Sequence, residues 1–458
     1  MLFPALISAA LLAAPAPRTM RLDYFHTGSA AEEHFALDSI VIEGAWPGRM
    51  DRCIDDTNLG KYLFEVVDRG TNRLLYSRGF ASVYGEWELT DEAKQHLRTF
   101  HESLRFPAPS APVQVIMKKR DRRNAFREVW SVLIDPADPA VERSAPPAAE
   151  VWAVMHNGEP ADKVDLLLMG DGYTAAEMDK WHADARRLTA LLFAVSPFRE
   201  RRTDFNVWAV DTPAEESGIS RPSDGVYRRS PLRTGYDAFG SERYILTFDN
   251  KRVREAAAAA PYEFIEIVTN TRKYGGGGIF NLYATVAADN AFTPYIFVHE
   301  FGHHFAGLAD EYYTSDVTYQ GDTERPEPWE PNATADSQAS KWKDLVAGGT
   351  PLPTPWSKQA FETLQNGIQD RRRKIRAAHR PEEEMEALFR EEREQSTKLL
   401  GSETYSGKVG SFEGAMYEAR GYYRPQTDCI MFSRDEVGFC AVCRRAIERV
   451  IGLYARPR

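Results

Sequence analysis

Between about residues 19 and 145, short apolar or alternating runs recur at 35–42, 62–67, 74–80, 113–117 and 129–134, with turn residues between them. This pattern predicts half-buried strands and, at this spacing, a small all-β sandwich over residues 18–145. Two Pro- and Ala-rich stretches, 135–139 and 145–149, read as a linker. The pattern then changes. Residues 164–169 form an apolar run broken only by Asp165, as in a strand buried on both faces, and 205–210 and 264–268, each with one polar residue, repeat it. Thr174 and Glu177 form a capping box opening a helix that runs to about Ala194. A glycine run, 275–278, precedes a further strand over 279–286. Thr293 as N-cap and Pro294 at the first helical position then start another helix. Strands alternating with helices predict an α/β domain with a mixed sheet over residues 150–458. Arg, Lys and Glu, interspersed with Ile375, Met385, Leu388 and Phe389, predict a solvated amphipathic helix pair inserted at about 360–400.

The chain start changes the picture of its compartment. Residues 2–16 are almost wholly Leu, Ile, Phe and Ala, end in Ala14-Pro15-Ala16 and are followed by Arg18. A bilayer span needs about 20 apolar residues, so this stretch fits a signal peptide over 1–17 and a secreted or periplasmic protein. No other run is long enough to span a membrane. The net charge of −10 argues against nucleic acid or an anionic membrane surface as the partner. Cys53, Cys429, Cys440 and Cys443 permit disulfides in an exported chain. Cys440 and Cys443, three apart on an expected helix, are poorly placed to bond each other, so Cys429 is the better partner for either. A zinc site built from these three would lack the fourth ligand of structural sites.

The chemistry concentrates in His299-Glu300-Phe301-Gly302-His303-His304-Phe305-Ala306-Gly307-Leu308-Ala309-Asp310-Glu311-Tyr312. On a helix, His299 and His303 lie one turn apart and present two imidazoles to one zinc ion. Glu300 sits beside them, placed to act as general base and then acid on a metal-activated water. Three of the ten histidines fall in six residues, and unpaired imidazoles among Phe297, Phe301 and Phe305 would be costly to bury. His304 points about 100° away round the helix axis. Gly307 ends the helix with positive φ, so a carboxylate just beyond it returns to the ion as third metal ligand. Asp310 is favoured for its short side chain, with Glu311 the alternative. Far along the chain, Met431 lies in Asp428-Cys429-Ile430-Met431-Phe432-Ser433, and a Met turn floors the zinc site of metzincin peptidases.

Together these residues resemble the IgA-peptidase-type zinc metallopeptidases, a metzincin-like group of mostly secreted bacterial proteins. The resemblance extends to residues 167–173, the glycine run and Tyr423-Arg424-Pro425 before the Met turn. It implies a β-sandwich ahead of a metzincin-like α/β peptidase domain, and zinc-dependent hydrolysis of protein or peptide substrates. The usual third His is absent, and Ala306 stands where the metzincin motif has Gly. An extended peptide would add to the strand at 279–286, with the glycine run keeping the approach open and mobile. Tyr417 and Tyr423 are candidates for stabilising the oxyanion. The rival readings are a secreted protein binding glycan or protein beside a non-catalytic metal site, and a purely structural zinc protein.

Overall fold

The computed structural model describes residues 17–314 and 325–456; the apolar stretch 2–16 lies outside them. The N-terminal part is strand-rich: β1 (Arg18–Gly28), β2 (Glu33–Ala45), β3 (Tyr62–Asp68), β4 (Leu74–Phe80), β5 (Arg98–Pro107), β6 (Val113–Arg120) and β7 (Phe126–Ile134), with α1 (Val83–Trp87) after β4. They form two antiparallel sheets, ordered β2-β1-β5 and β4-β3-β6-β7. Met20, Leu22 and Tyr24 of β1 share one core with Phe64 and Val66 of β3 and with Val115 and Met117 of β6. The central strand β1 escapes a reading of apolar pattern because both of its faces are buried. Its second face carries Thr19, Arg21 and Asp23. Arg21 pairs with Asp23 at 2.9 Å and with Glu43 at 2.7 Å, and Arg105 of β5 takes Glu43 at 3.0 Å. Such charges survive burial because each is paired. Arg105 also lies 3.6 Å over the Tyr262 ring, so this polar layer faces the larger, C-terminal part of the chain.

That part holds β8 (Val151–Met155), β9 (Val164–Asp171), α2 (Met178–Leu192), β10 (Phe205–Val210), α3 (Asn250–Ala257), β11 (Phe264–Thr269), β12 (Gly276–Ile279), β13 (Tyr283–Ala287) and α4 (Thr293–Ala306). The sheet order is β12-β13-β11-β9-β10-β8, with parallel inner strands and antiparallel strands at both edges, so the mixed sheet is as expected. Every residue of β9 is buried, which is why it reads as an apolar run, and Asp165 within it is buried with Asn206 and Trp208 donating to its Oδ1. Glu177 reaches back to accept the Thr174 N–H at 2.9 Å, the capping box ahead of α2.

The segment 279–286 is not one strand. It is a hairpin that turns through Asn281 at φ 55°, and the glycine run itself is the edge strand β12, not a mobile loop. The reason is close packing on α4. A Cβ at Gly278 would stand 2.3 Å from the Glu300 carbonyl oxygen, and one at Gly276 would stand 2.7 Å from Ile296. Thr293 is the first residue of α4 rather than its cap, and its hydroxyl donates to the Ala287 carbonyl at 2.7 Å.

The charged segment forms α5 (Lys358–Ala377) and α6 (Glu382–Gly401), tied by Arg371–Glu391 at 2.6 Å over buried Ile368, Met385 and Leu388. Phe389 packs on Tyr274 and Phe292, so the pair braces the glycine strand and the start of α4. The hairpin β14 (Phe412–Ala415) and β15 (Glu418–Arg424) leads to the Met431 turn and to α7 (Ala441–Tyr454), which lies against α4. No described helix is long and apolar enough to cross a membrane.

Candidate metal centre

Two carbonyl groups fix the tautomers of the motif histidines. His299 Nδ1 donates to the Ile430 carbonyl at 2.9 Å, and His303 Nδ1 donates to the Leu308 carbonyl at 2.5 Å. Both Nε2 atoms are then free to act as ligands. They lie 3.1 Å apart, and Asp310 Oδ1 is 3.1 Å from the first and 3.3 Å from the second. Three electron-pair donors facing one another repel unless something positive stands between them. A tetrahedral zinc ion with bonds of about 2.0–2.1 Å has ligand edges of about 3.3–3.4 Å, so this donor set fits it. Without a cation, a proton takes that place. Burial disfavours charge on His303, but the attraction and hydrogen bond of Asp310 outweigh it and raise its pKa to about 9. Burial works against the Asp310 carboxylate too, yet His303 and His299 hold its pKa well below the usual range.

Local structure delivers Asp310. Gly307 caps α4 at φ 58°, ψ 37°, and its N–H returns to the His303 carbonyl at 3.0 Å. The chain doubles back, and the tight turn between β14 and β15 clips it in place: Met416 N–H donates to the Asp310 carbonyl and Tyr417 N–H to that of Tyr312, both at 3.0 Å. The Tyr417 hydroxyl donates to Asp310 Oδ2, so this oxyanion candidate is engaged with the carboxylate. Glu311 points the other way, with Oε1 3.4 Å from Cys443 Sγ. His304 is fully buried, with Nδ1 on the Ile279 carbonyl at 3.0 Å and Nε2 accepting the Ile265 N–H at 3.2 Å. Burial lowers its pKa to about 3, so it is a neutral bolt between helix and sheet. Glu300 lies against Gly276, and burial raises its pKa against the pull of His299 and His303. Beneath the histidines, a Cβ on Gly302 would meet Met431 Sδ at 3.1 Å, so the glycine lets the Met turn reach the helix backbone.

A family model described as IgA Peptidase M64 matches residues 152–451, and the model of the Peptidase M64 N-terminus matches residues 13–131. The chain belongs to the IgA peptidase M64 family. No curated protein matches it. M64 membership makes it a peptidase that acts on protein substrates and implies a metal, and both histidines, Asp310 and the Met431 turn fall inside the longer match.

Of the other groups around this M64 site, Tyr312 ends the quoted motif, whereas Tyr295 and Arg243 carry no sequence signal. The Tyr295 hydroxyl is 3.3 Å from His299 Nδ1, the Tyr312 ring stacks 6.3 Å from that imidazole, and Arg243 donates to the Tyr312 hydroxyl at 3.1 Å. Arg243 comes from an irregular segment well upstream, with no motif to mark it. Tyr423 lies in β15 with its backbone paired to Thr334, and no hydrogen bond or ring contact joins it to the histidines among the described residues.

Proposed function

We propose that this M64 protein is a secreted zinc-dependent endopeptidase of metzincin-like build, with His299, His303 and Asp310 as metal ligands and Glu300 as general base and acid. One observation carries the reading: two imidazole nitrogens and a carboxylate oxygen converge at 3.1–3.3 Å, with both Nδ1 donors committed elsewhere. Bound zinc supplies Lewis acidity that polarises the scissile carbonyl and acidifies a water. The chain's own residues do the rest. Glu300 takes the proton of the attacking water and hands it to the leaving amine, a task suited to a carboxyl whose pKa burial raises. The backbones of Ile430 and Leu308 hold the imidazoles in their ligating orientation. Tyr417 holds the carboxylate.

Substrate docking is narrower than a whole open strand would allow. Gly276 already accepts from the Ile245 N–H and donates to the Arg243 carbonyl, so that part of the β12 edge is paired within the chain. The alternation of an antiparallel ladder directs the Gly278 amide and carbonyl to the same outer side. Gly278 is half-exposed, and an extended peptide pairs there, beside Glu300 and His303. The apolar run at 2–16 supports export. Peptide-library digestion with and without a chelator tests the reading: chelator-sensitive internal cleavage is expected, and chelator-resistant or absent cleavage by zinc-loaded protein would sink it.

A further inference from the structure

Three of the four cysteines converge on one carboxylate. Cys429 starts the turn that carries Met431, Cys440 caps α7, Cys443 stands in the first turn of α7, and Glu311 follows Asp310. All four are buried, and one ligand atom from each lies within 4.8 Å of all the others. Cys429 Sγ is 3.8 Å from Cys443 Sγ, while Glu311 Oε1 is 3.4 Å from Cys443 Sγ and 3.9 Å from Cys440 Sγ. Tetrahedral zinc, with bonds of about 2.3 Å to sulfur and about 2.0 Å to oxygen, has S···S edges of about 3.8 Å and S···O edges of about 3.5 Å.

We propose that Glu311, Cys429, Cys440 and Cys443 hold a second, structural zinc ion, closed to solvent. Three cysteines alone lack a fourth donor, and Glu311 supplies it from a distant part of the chain. The polar surroundings suit thiolates. The Cys440 N–H points at Cys429 Sγ at 3.3 Å, and the Cys443 N–H points at Cys440 Sγ at 3.4 Å. The positive end of α7 faces the cluster, and buried Arg424 adds charge toward Glu311 and Cys429. Asn332 donates to Glu311 Oε1 at 2.9 Å, the kind of outer contact that orients a ligand. A disulfide between two of the cysteines would instead leave a thiol and a carboxylate pressed together, with Glu311 Oε2 unpartnered in the interior.

The ion would tie together the pieces that shape the first site. Glu311 is bonded in sequence to Asp310, and its N–H donates to the Met431 carbonyl at 2.8 Å. Cys429 precedes Ile430, whose carbonyl orients His299. The four ligands are therefore positioning residues. Their effect on turnover rests on the catalytic reading, whereas the ion itself does not.

The test counts zinc by mass spectrometry on the full chain after dialysis against metal-free buffer. Two equivalents per chain are expected, with one left in His303→Ala, one left in Glu311→Ala or Cys443→Ser, and none in a double variant that combines the two sites. Zinc-edge X-ray absorption of His303→Ala gives a measurement that needs no cysteine variant, and sulfur neighbours at about 2.3 Å are expected. One equivalent in the unaltered chain with none in His303→Ala overturns the proposal. So does an intact mass lowered by two hydrogens, which reports a disulfide. Zinc held only at the cysteine–Glu311 site, with no histidine-bound equivalent, would instead overturn the catalytic reading and leave the second site standing.

Discussion

The Nδ1 of His299 donates to the carbonyl of Ile430, 131 residues further along the chain, at 2.9 Å. This bond joins the helix that carries the imidazoles to the turn beneath it. Met431, next in sequence, is fully buried and reaches the backbone of α4 at Gly302. Met431→Ala opens a cavity there and is expected to cost about 2–5 kcal/mol, whereas Met431→Leu, close in volume, costs under about 1.5 kcal/mol. Chemical denaturation of the two variants checks the difference. Equal stability of both with the parent would show that the turn does not support the helix.

Glu300 is expected to separate metal binding from turnover. Glu300→Gln keeps the shape of the side chain against Gly276 but has no carboxylate to accept a proton. Zinc content should stay as in the parent, while kcat/KM falls by about 10²–10⁴. Retained turnover at full zinc occupancy would remove the general-base role.

Tyr417 is argued to orient a ligand, and its hydroxyl is the group to delete. Tyr417→Phe leaves Asp310 Oδ2 without that donor. Loss of such an outer contact typically weakens metal binding by about 10–100-fold. Titration with a competing chelator measures it. If kcat collapses at saturating zinc while affinity is unchanged, the phenol acts on the oxyanion instead.

What the sequence made legible was local. One helical turn separates His299 from His303, Gly307 announces the helix end, and the apolar run of β9 declares a strand covered on both sides. Tertiary arrangements stayed hidden. Strand β1 interleaves its core residues with Arg21 and Asp23, whose burial is made tolerable by partners on β2 and β5. The glycine run looked like slack chain, although the missing Cβ atoms of Gly276 and Gly278 make room for α4 and those of Gly275 and Gly277 for Tyr236 and Tyr244 on the other face. Glu311 and the cysteines meet only because the return loop, the Met turn and the start of α7 close on one point, which no spacing along the chain reports.

Gly278 tests the reading of the glycine strand. A Cβ there would lie 2.3 Å from the Glu300 carbonyl oxygen and 3.0 Å from His303 Cβ, so Gly278→Ala must push β12 off α4. Overpacking of this kind costs about 1–3 kcal/mol. Gly348, exposed and with nothing within 4 Å of an added Cβ, is the control, and Gly348→Ala should be near neutral. Thermal unfolding compares the two. Peptide turnover should fall only for Gly278→Ala, since only that change moves the strand beside Glu300.

Proton competition gives the last expectation. In the ion-free chain, Asp310 raises the pKa of His303 to about 9 against the opposing effect of burial. A group raised on folding stabilises the chain fully below its unfolded value, and that contribution fades as pH rises through about 9. Asp310, depressed on folding, contributes above its unfolded value and loses the contribution only as pH falls. Between those limits the pair is charged, and an incoming cation must displace the His303 proton. Apparent zinc affinity of the stripped protein should therefore climb about tenfold per pH unit at pH values below the His303 pKa and level off beyond it. Isothermal titration in buffers of different ionisation enthalpy counts the released protons directly. In Asp310→Asn, the imidazole loses its charged neighbour and much of the pH slope should vanish near neutrality, together with most of the affinity. A parent chain that binds zinc equally well at pH 6 and pH 9 would mean that the three donors do not share one cation.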